Sequence, residues 1–370
     1  MSRLCSGGVE YVPLGTVCDI TKGEQINKIN VCKNGTYPVI NGGTKPTGYI
    51  EQYNQEADTI TVAQGGVVGF VNWINCRFWA GAHCFVLKPR EGIMNRFLYH
   101  LLKSREPQIQ ALGYGTTILM MKRNDLINFV VPVPPMKVQA EIVRILDNFT
   151  GYIALLTHEL DLRKKQYAYY CEKLLTFGDD VRRITLGEIG KVCMCKRILK
   201  HQTQPDGEIP FYKIGTFGGQ PDTYISRDLF ERLKNNYPYP KKGHVLISAA
   251  GTIGKLVIFN GDDAYFQDSN IVWIDNDESQ VLNKFLYYVY HSEPWEITKG
   301  GTIKRLYNDN IAKAIIPVPP LETQHRISEI LGRFETLCSD LTHGLPAEIS
   351  ARRKQYEYYR DKLLAFTPKS

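Results

Sequence analysis

A chain of 370 residues is longer than one hydrophobic core usually serves, so at least two domains are expected. Its 43% apolar and 22% charged residues describe an ordinary globular protein, and no stretch of about eighteen apolar residues is available to span a membrane. The net charge of +7 mildly favours an anionic partner. The N-terminal MSRLCSGGVEYVPLG lacks an apolar signal-peptide core, so a cytoplasmic location is expected. The nine cysteines include no CxxC pair, and Cys193 and Cys195 are too close for a zinc knuckle. Reduced, mostly buried thiols are the expectation.

In chain order, residues 1–135 are rich in Gly, Tyr, Asn and Thr, with short β-like runs at TITVA (59–63) and CFVLKP (84–89). One amphipathic helix is expected around 93–105. The strand-like NFVVPVPP (128–135) ends at a proline pair, where a helix can begin. From Ile142 apolar residues then recur at 146, 149, 153, 156, 160, 167, 170, 174 and 177, with Arg163 in the one missing slot. Spacings of four and three make a heptad seam, so residues 136–177 are expected to form one long coiled-coil helix closed by Gly178. About forty residues would give a rod of roughly 60 Å.

The remainder repeats this plan. Residues 178–320 carry β-like runs at HVLISA (244–249) and NIVWID (270–275) and a helix around 280–292, then KAIIPVPP. Residues 321–370 carry a second seam through Ile327, Leu331, Phe334, Cys338 and Leu341. Four extra residues, GLPA (344–347), interrupt it before Ile349, Arg352, Tyr356, Tyr359, Leu363 and Phe366. The spacing Leu341, Leu345, Ile349 reads as a stutter, and Pro346 should kink or break the helix.

The repeat is explicit. RKKQYAYYCEKLLTF (163–177) and RRKQYEYYRDKLLAF (352–366) agree at ten of fifteen positions. QAEIVRILDNF and QHRISEILGRF follow the two VPVPP segments, FLYHLLKS parallels FLYYVYHS, and AQGGVVG (63–69) parallels AAGTIG (249–254). Similarity is strong after each VPVPP and weak before it, as if one part keeps a structural role while the other diverges in specificity. An antiparallel pairing of the two helices, one from each half, buries both seams and would set the globular domains at opposite ends.

The paired VPVPP segments, the Gln-led helices and GLPAEISARRKQYEYYRDKLL (344–364) resemble the specificity subunit of type I restriction–modification systems. The resemblance is architectural over the whole chain and specific in the helical quarter; the first helical region lacks the GLPA segment, which bears on half-site spacing. It implies an α+β chain with tandem α/β target-recognition domains at 1–135 and 178–320. The spacer helices at 136–177 and 321–370 would be antiparallel and the whole pseudo-two-fold duplicated. The domains would read the two halves of a split double-stranded DNA site about one helical turn, roughly 35 Å, apart. It further implies two adenine methyltransferase subunits, one per half, and restriction subunits as partners.

No catalytic residue, cofactor or metal ligand is expected in the chain itself. Neither Asn-Pro-Pro nor Asp-Pro-Pro occurs, as a methyltransferase motif would need. GTIGKL (251–256) falls short of a phosphate loop, with Ala249 at the first glycine position and Leu256 where Ser or Thr is required. The eight histidines show no HExxH spacing. Phosphates and base edges are instead bound by Lys, Arg, Asn, Gln, Ser and Thr, in loops where glycine permits close approach. The candidates are Thr44, Lys45 and Gln64, then Tyr114, Thr116, Lys122 and Arg123 in the first half. In the second they are Lys213, Thr216, Gln220, Lys241, Lys242 and Ser248, then Thr302, Lys304 and Arg305. Lys165 and Lys354, in the repeated helix segment, are candidate partner contacts. A coiled-coil scaffold that binds no DNA is the competing reading, and RNA binding lacks any RNP-type aromatic motif.

Overall fold

The computed structural model describes residues 8–26, 31–116, 119–292, 294–295 and 305–369. It divides into two units, Met1–His158 with Ala347–Ser370, and Glu159–Pro346.

In the first unit, Glu10–Pro13 pairs antiparallel with Val130–Val133, the strand of the first VPVPP. The main sheet is antiparallel, in the order Cys18–Lys22, Cys84–Pro89, Thr59–Ala63, Val71–Ile74. A smaller sheet orders Tyr49–Ile50, Tyr37–Ile40 and Trp79–Ala80, the last two strands parallel. The run TITVA has no polar alternation because both faces of its sheet are covered, and all five residues are buried. Neighbouring residues of the adjacent strand show how. Phe85 and Leu87 join the core of helix Asn95–Ser104, with Phe97, Leu98 and Leu101, while Cys84 and Val86 pack with Ile40, Phe78 and Ala80 beside the small sheet.

The second unit repeats this arrangement strand for strand. Arg183–Thr185 pairs with Ile315–Pro317, and the main sheet runs Val192–Cys193, Ile271–Ile274, Val245–Ser248, Leu256–Ile258. The small sheet runs Tyr224–Ile225, Ile209–Tyr212, Tyr265–Phe266, again with one parallel pairing. Val272 and Ile274 face helix Asn283–Tyr290, whereas Ile271 and Trp273 face Phe211 and Phe266. Duplication, mixed α and β content and long helices all match the sequence reading.

The helix after the first VPVPP runs unbroken from Met136 to Leu175. Within the first unit its Val138, Ile142 and Leu146 share a core with Tyr356 and Leu364 of helix Leu345–Leu364 and with Phe366 just beyond it. Phe149 stacks on Tyr359 at 5.4 Å, and Arg352 lies 5.6 Å over Tyr152, so the two helices run antiparallel. Within the second unit Tyr170 stacks on Phe334 of helix Leu321–Ser339 at 5.4 Å. Arg163 occupies its seam slot by bonding Glu159 and Gln166 on its own helix, and Arg352 repeats this with Glu348 and Gln355.

One detail corrects the sequence reading. The seam does not continue through Leu341 as a stutter. The helix ends at Ser339, Leu341 is 80% exposed, and a new helix starts at Leu345. The Asp340 carboxylate accepts from the Thr342 and His343 amides, and Gly344 N donates to the Asp340 carbonyl. Pro346 therefore sits in the first turn of a helix, where its missing N–H is not needed.

Candidate nucleic-acid interface

A short glycine turn follows the central strand of each main sheet, and other loops gather on it. In the first unit Gly69 N donates to Ala63 O, and in the second Gly254 N donates to Ser248 O. Gln64 N donates to His83 O, as Ala249 N does to Asn270 O. Met121 N donates to Gln64 O, as Leu306 N does to Ala249 O. The two clusters are thus built on one backbone plan.

In the first unit the turn also receives the Asn41–Tyr49 loop, through Val67 N donating to Gly42 O at 3.0 Å. Gly42 needs to be glycine: its φ is +80°, and a Cβ would meet the Gly65 carbonyl at 2.4 Å. Thr44 and Lys45 project from this loop and are exposed. Gln64 is only partly exposed, and its amide nitrogen reaches Met121 O at 3.4 Å. Tyr114 forms a backbone ladder with Met120, is 48% exposed, and carries Lys122 over its ring at 5.0 Å. Thr116 is exposed beside it. Thr44, Lys45, Gln64, Tyr114, Thr116 and Lys122 thus belong to loops joined by these bonds. Arg123 is held differently, its Nε donating to Ile20 O at 2.7 Å.

In the second unit the turn receives the loop at Lys213. The Lys255 ammonium donates to Phe217 O, and Ile214 N donates to Gln267 Oε1 at 2.9 Å. Lys213 pairs with Asp222 at 2.9 Å, holding that carboxyl below its usual range together with the Thr223 hydroxyl. Thr216 spends its hydroxyl inside the loop on Lys213, whereas Gln220 is exposed. Arg305 donates to Ser269 O at 2.8 Å and bridges Ala250. Thr302 and Lys304 lie outside the described residues.

Three candidates are placed elsewhere. Ser248 is 1% exposed, and its hydroxyl donates to Thr252 O and accepts from Lys255 N, so it ties the turn together from inside. Lys241 and Lys242 are exposed but precede Val245–Ser248, at the strand end opposite the turn. Lys241 lies 3.6 Å from Asp275 there. Conversely, Asn41, His83 and Arg197 join the clusters without having been singled out. Asn41 Oδ1 accepts from His83 N at 3.0 Å, and Arg197 Nε donates to Asp268 at 2.9 Å. The weak similarity before each VPVPP hides these positions, although Lys196-Arg197 standing against Glu24-Gln25 was a usable signal. Lys165 and Lys354 are exposed on their helices. Among the described residues, no group of three His, Cys, Asp or Glu could hold a metal ion, and no helix is long and apolar enough to cross a membrane.

Comparison with known proteins agrees with this architecture. The type I restriction modification DNA specificity domain matches twice, over residues 7–162 and 178–351. A putative type I restriction enzyme specificity subunit of Haemophilus influenzae, S.HindORF215P, is 46% identical over 99% of this chain and 98% of its own. The EcoR124I/EcoR124II specificity subunit of Escherichia coli is 29% identical over 97% of this chain and 94% of its own. In fold, the crystal structure of the type I S subunit from M. genitalium superposes with a TM-score of 0.66 at 20% identity, covering 96% of each chain. With two matched domains on a duplicated skeleton, the chain belongs to the specificity-subunit family of type I restriction–modification systems.

Proposed function

We propose that this specificity subunit reads a bipartite double-stranded DNA target, one half-site through the loops of residues 1–135 and the other through those of residues 178–320. Two adenine methyltransferase subunits and the restriction subunits are positioned on that target, and methylation and cleavage reside in those other chains. The carrying observation is that one backbone plan appears twice while the side chains on its loop clusters differ. Two copies of a reader with different side chains suit an asymmetric split site, in which loops specify and the helices set the spacing. A scaffold that bound only proteins would have no use for two glycine-built clusters carrying Lys45, Lys122, Lys213 and Arg305.

The exposed Lys165 and Lys354, at equivalent places in the repeated helix segment, are proposed contacts for the methyltransferase subunits. Reversing both charges should weaken assembly without changing the bases read; an intact complex would remove these residues from the docking surface. The decisive test is methylation sequencing of cells carrying the partner methyltransferase, with and without this chain. The reading requires a split adenine-methylated motif that appears only with both proteins. A methylome indifferent to the chain would leave the scaffold reading in its place.

A further inference from the structure

The common backbone allows the two clusters to be compared position by position. Ser248 opposes Ile271 as Ala63 opposes Cys84, and Cys193 opposes Trp273 as Thr21 opposes Val86. Counting onward from Thr21 and Cys193, Arg197 takes the place of Gln25. Tyr212 pairs with Phe266 as Ile40 pairs with Ala80, so Lys213 takes the place of Asn41. Arg305 bridges Ala250 as Met120 bridges Gly65. Three cations in the second unit thus stand where the first has a glutamine, an asparagine and a methionine.

These residues line a polar cleft of about 340 Å³ with Asp268, Ser269 and Asn270. The loop behind it is one residue longer than Gly81–His83 of the first unit, and Ser269 takes a left-handed φ of 59°. A non-glycine residue in that region is strained, and such strain concentrates where a loop must present a neighbour in a set direction. The neighbour is Asp268, whose side chain is only 16% exposed and accepts Arg197 Nε at 2.9 Å. Lys213 is occupied by Asp222, and Arg305 by the Ser269 carbonyl. Arg197 is engaged at Nε alone among the described residues, and its side chain is 68% exposed.

We propose that Arg197 reads a guanine in the half-site taken by the second recognition domain, with Asp268 as its positioning residue. This rests on the DNA-reading function proposed above. A guanidinium fixed at Nε presents its two terminal nitrogens as a fork, which matches the O6 and N7 acceptors of guanine in the major groove. A phosphate also accepts a guanidinium fork, but a lysine can hold it as a point charge, whereas the fixed O6–N7 pair of guanine rewards the orientation that Asp268 gives the fork. The asymmetry between Arg197 and Gln25 then makes the two half-sites differ in base composition.

The test uses the complete complex with its methyltransferase. Methylation sequencing gives the motif, and binding is measured to duplexes altered one base pair at a time. Arg197→Ala should relax one G·C pair in the second half-site, lowering its preference by roughly ten- to a hundredfold, and leave the first half-site intact. Arg197→Lys should relax the same pair although it keeps the charge, and Asp268→Asn should do so more weakly. An unchanged motif with uniformly weaker binding in Arg197→Ala would reassign the residue to a phosphate and overturn the proposal. A wild-type motif in Arg197→Lys would overturn it too, as would no effect of either variant. Loss of DNA reading as such shows differently, as a methylome unaffected by the unaltered chain.

Discussion

Two buried glutamines show what single residues contribute. Gln139 and Gln324, each 0% exposed, begin the runs that follow the VPVPP segments. Gln139 donates to the carbonyls of Gly92 and Pro134 and accepts from Met94 N at 2.7 Å. Gln324 makes the same three bonds with Gln280, Pro319 and Leu282. Each side chain therefore fastens the start of the domain helix to the start of the spacer helix. Gln324→Leu would leave the buried Pro319 carbonyl, the half-buried Leu282 amide and the Gln280 carbonyl without their partner, and should cost about 3 kcal/mol in urea unfolding, most of it from the desolvated groups left unpaired. The repeated glutamine was visible in the sequence, but two of its three partners lie more than forty residues away and all are backbone atoms, which no side-chain pattern records. His100 was equally unreadable. It is fully buried on helix Asn95–Ser104, with Nε2 2.7 Å from Asp147, and burial lowers its pKa. The unfolded chain, with an imidazole near 6.5, takes up a proton first as pH falls. Stability should thus decline below about pH 6.5, and His100→Gln should flatten that decline in unfolding measured from pH 7.5 to 5.

At the scale of elements, the spacer helices were the most legible part of the chain and also the place of the one misreading. A seam of alternating four and three spacings needs only side-chain period to be recognised, and Phe149, Tyr170, Ile327 and Leu331 meet their partners as such a seam requires. The stutter at Leu341 failed because a spacing of four and four is equally compatible with leaving the helix. Asp340 decides the matter by capping amides outside it. Two glycines test this account in opposite directions. Gly344→Ala would bring a Cβ to 2.6 Å from Thr336 O and 2.8 Å from Asp340 O, all backbone, so it should destabilise by about 1–3 kcal/mol. Gly151 lies exposed inside the central helix with nothing within 4 Å of a built Cβ. Gly151→Ala should therefore stabilise by up to about 1 kcal/mol through helix propensity alone. Thermal unfolding of the two variants beside the parent reads both signs, and equal shifts would reject the assignment of the break.

At the scale of the molecule, the duplication was readable because helix seams and glycine turns tolerate few alternatives, so both copies kept them. The proposed base-reading surface was only partly readable, because loops joined by backbone hydrogen bonds tolerate almost any exposed side chain. Ser248 stands at Ala63's position yet is spent on its own turn, while Arg197, at Gln25's position, carries a fork with no partner among the described residues. This division of labour predicts which exchanges the chain should accept. Replacing residues 14–128 by the matching segment of another family member leaves Val130–Val133, the proline pair and Gln139 in place. To the glutamine the incoming segment must then supply one backbone carbonyl and one amide, at the places of Gly92 and Met94, and a family member's own domain helix must refill the core against Val138, Ile142 and Leu146. Such a chimera should fold, methylate a motif altered in one half alone, and keep the number of bases between the halves, since neither spacer helix is touched. An altered spacing would mean that the loops, and not the helices, set the distance between half-sites. A change in both halves would mean that the two readers are energetically coupled, against the independence that two separately closed cores imply.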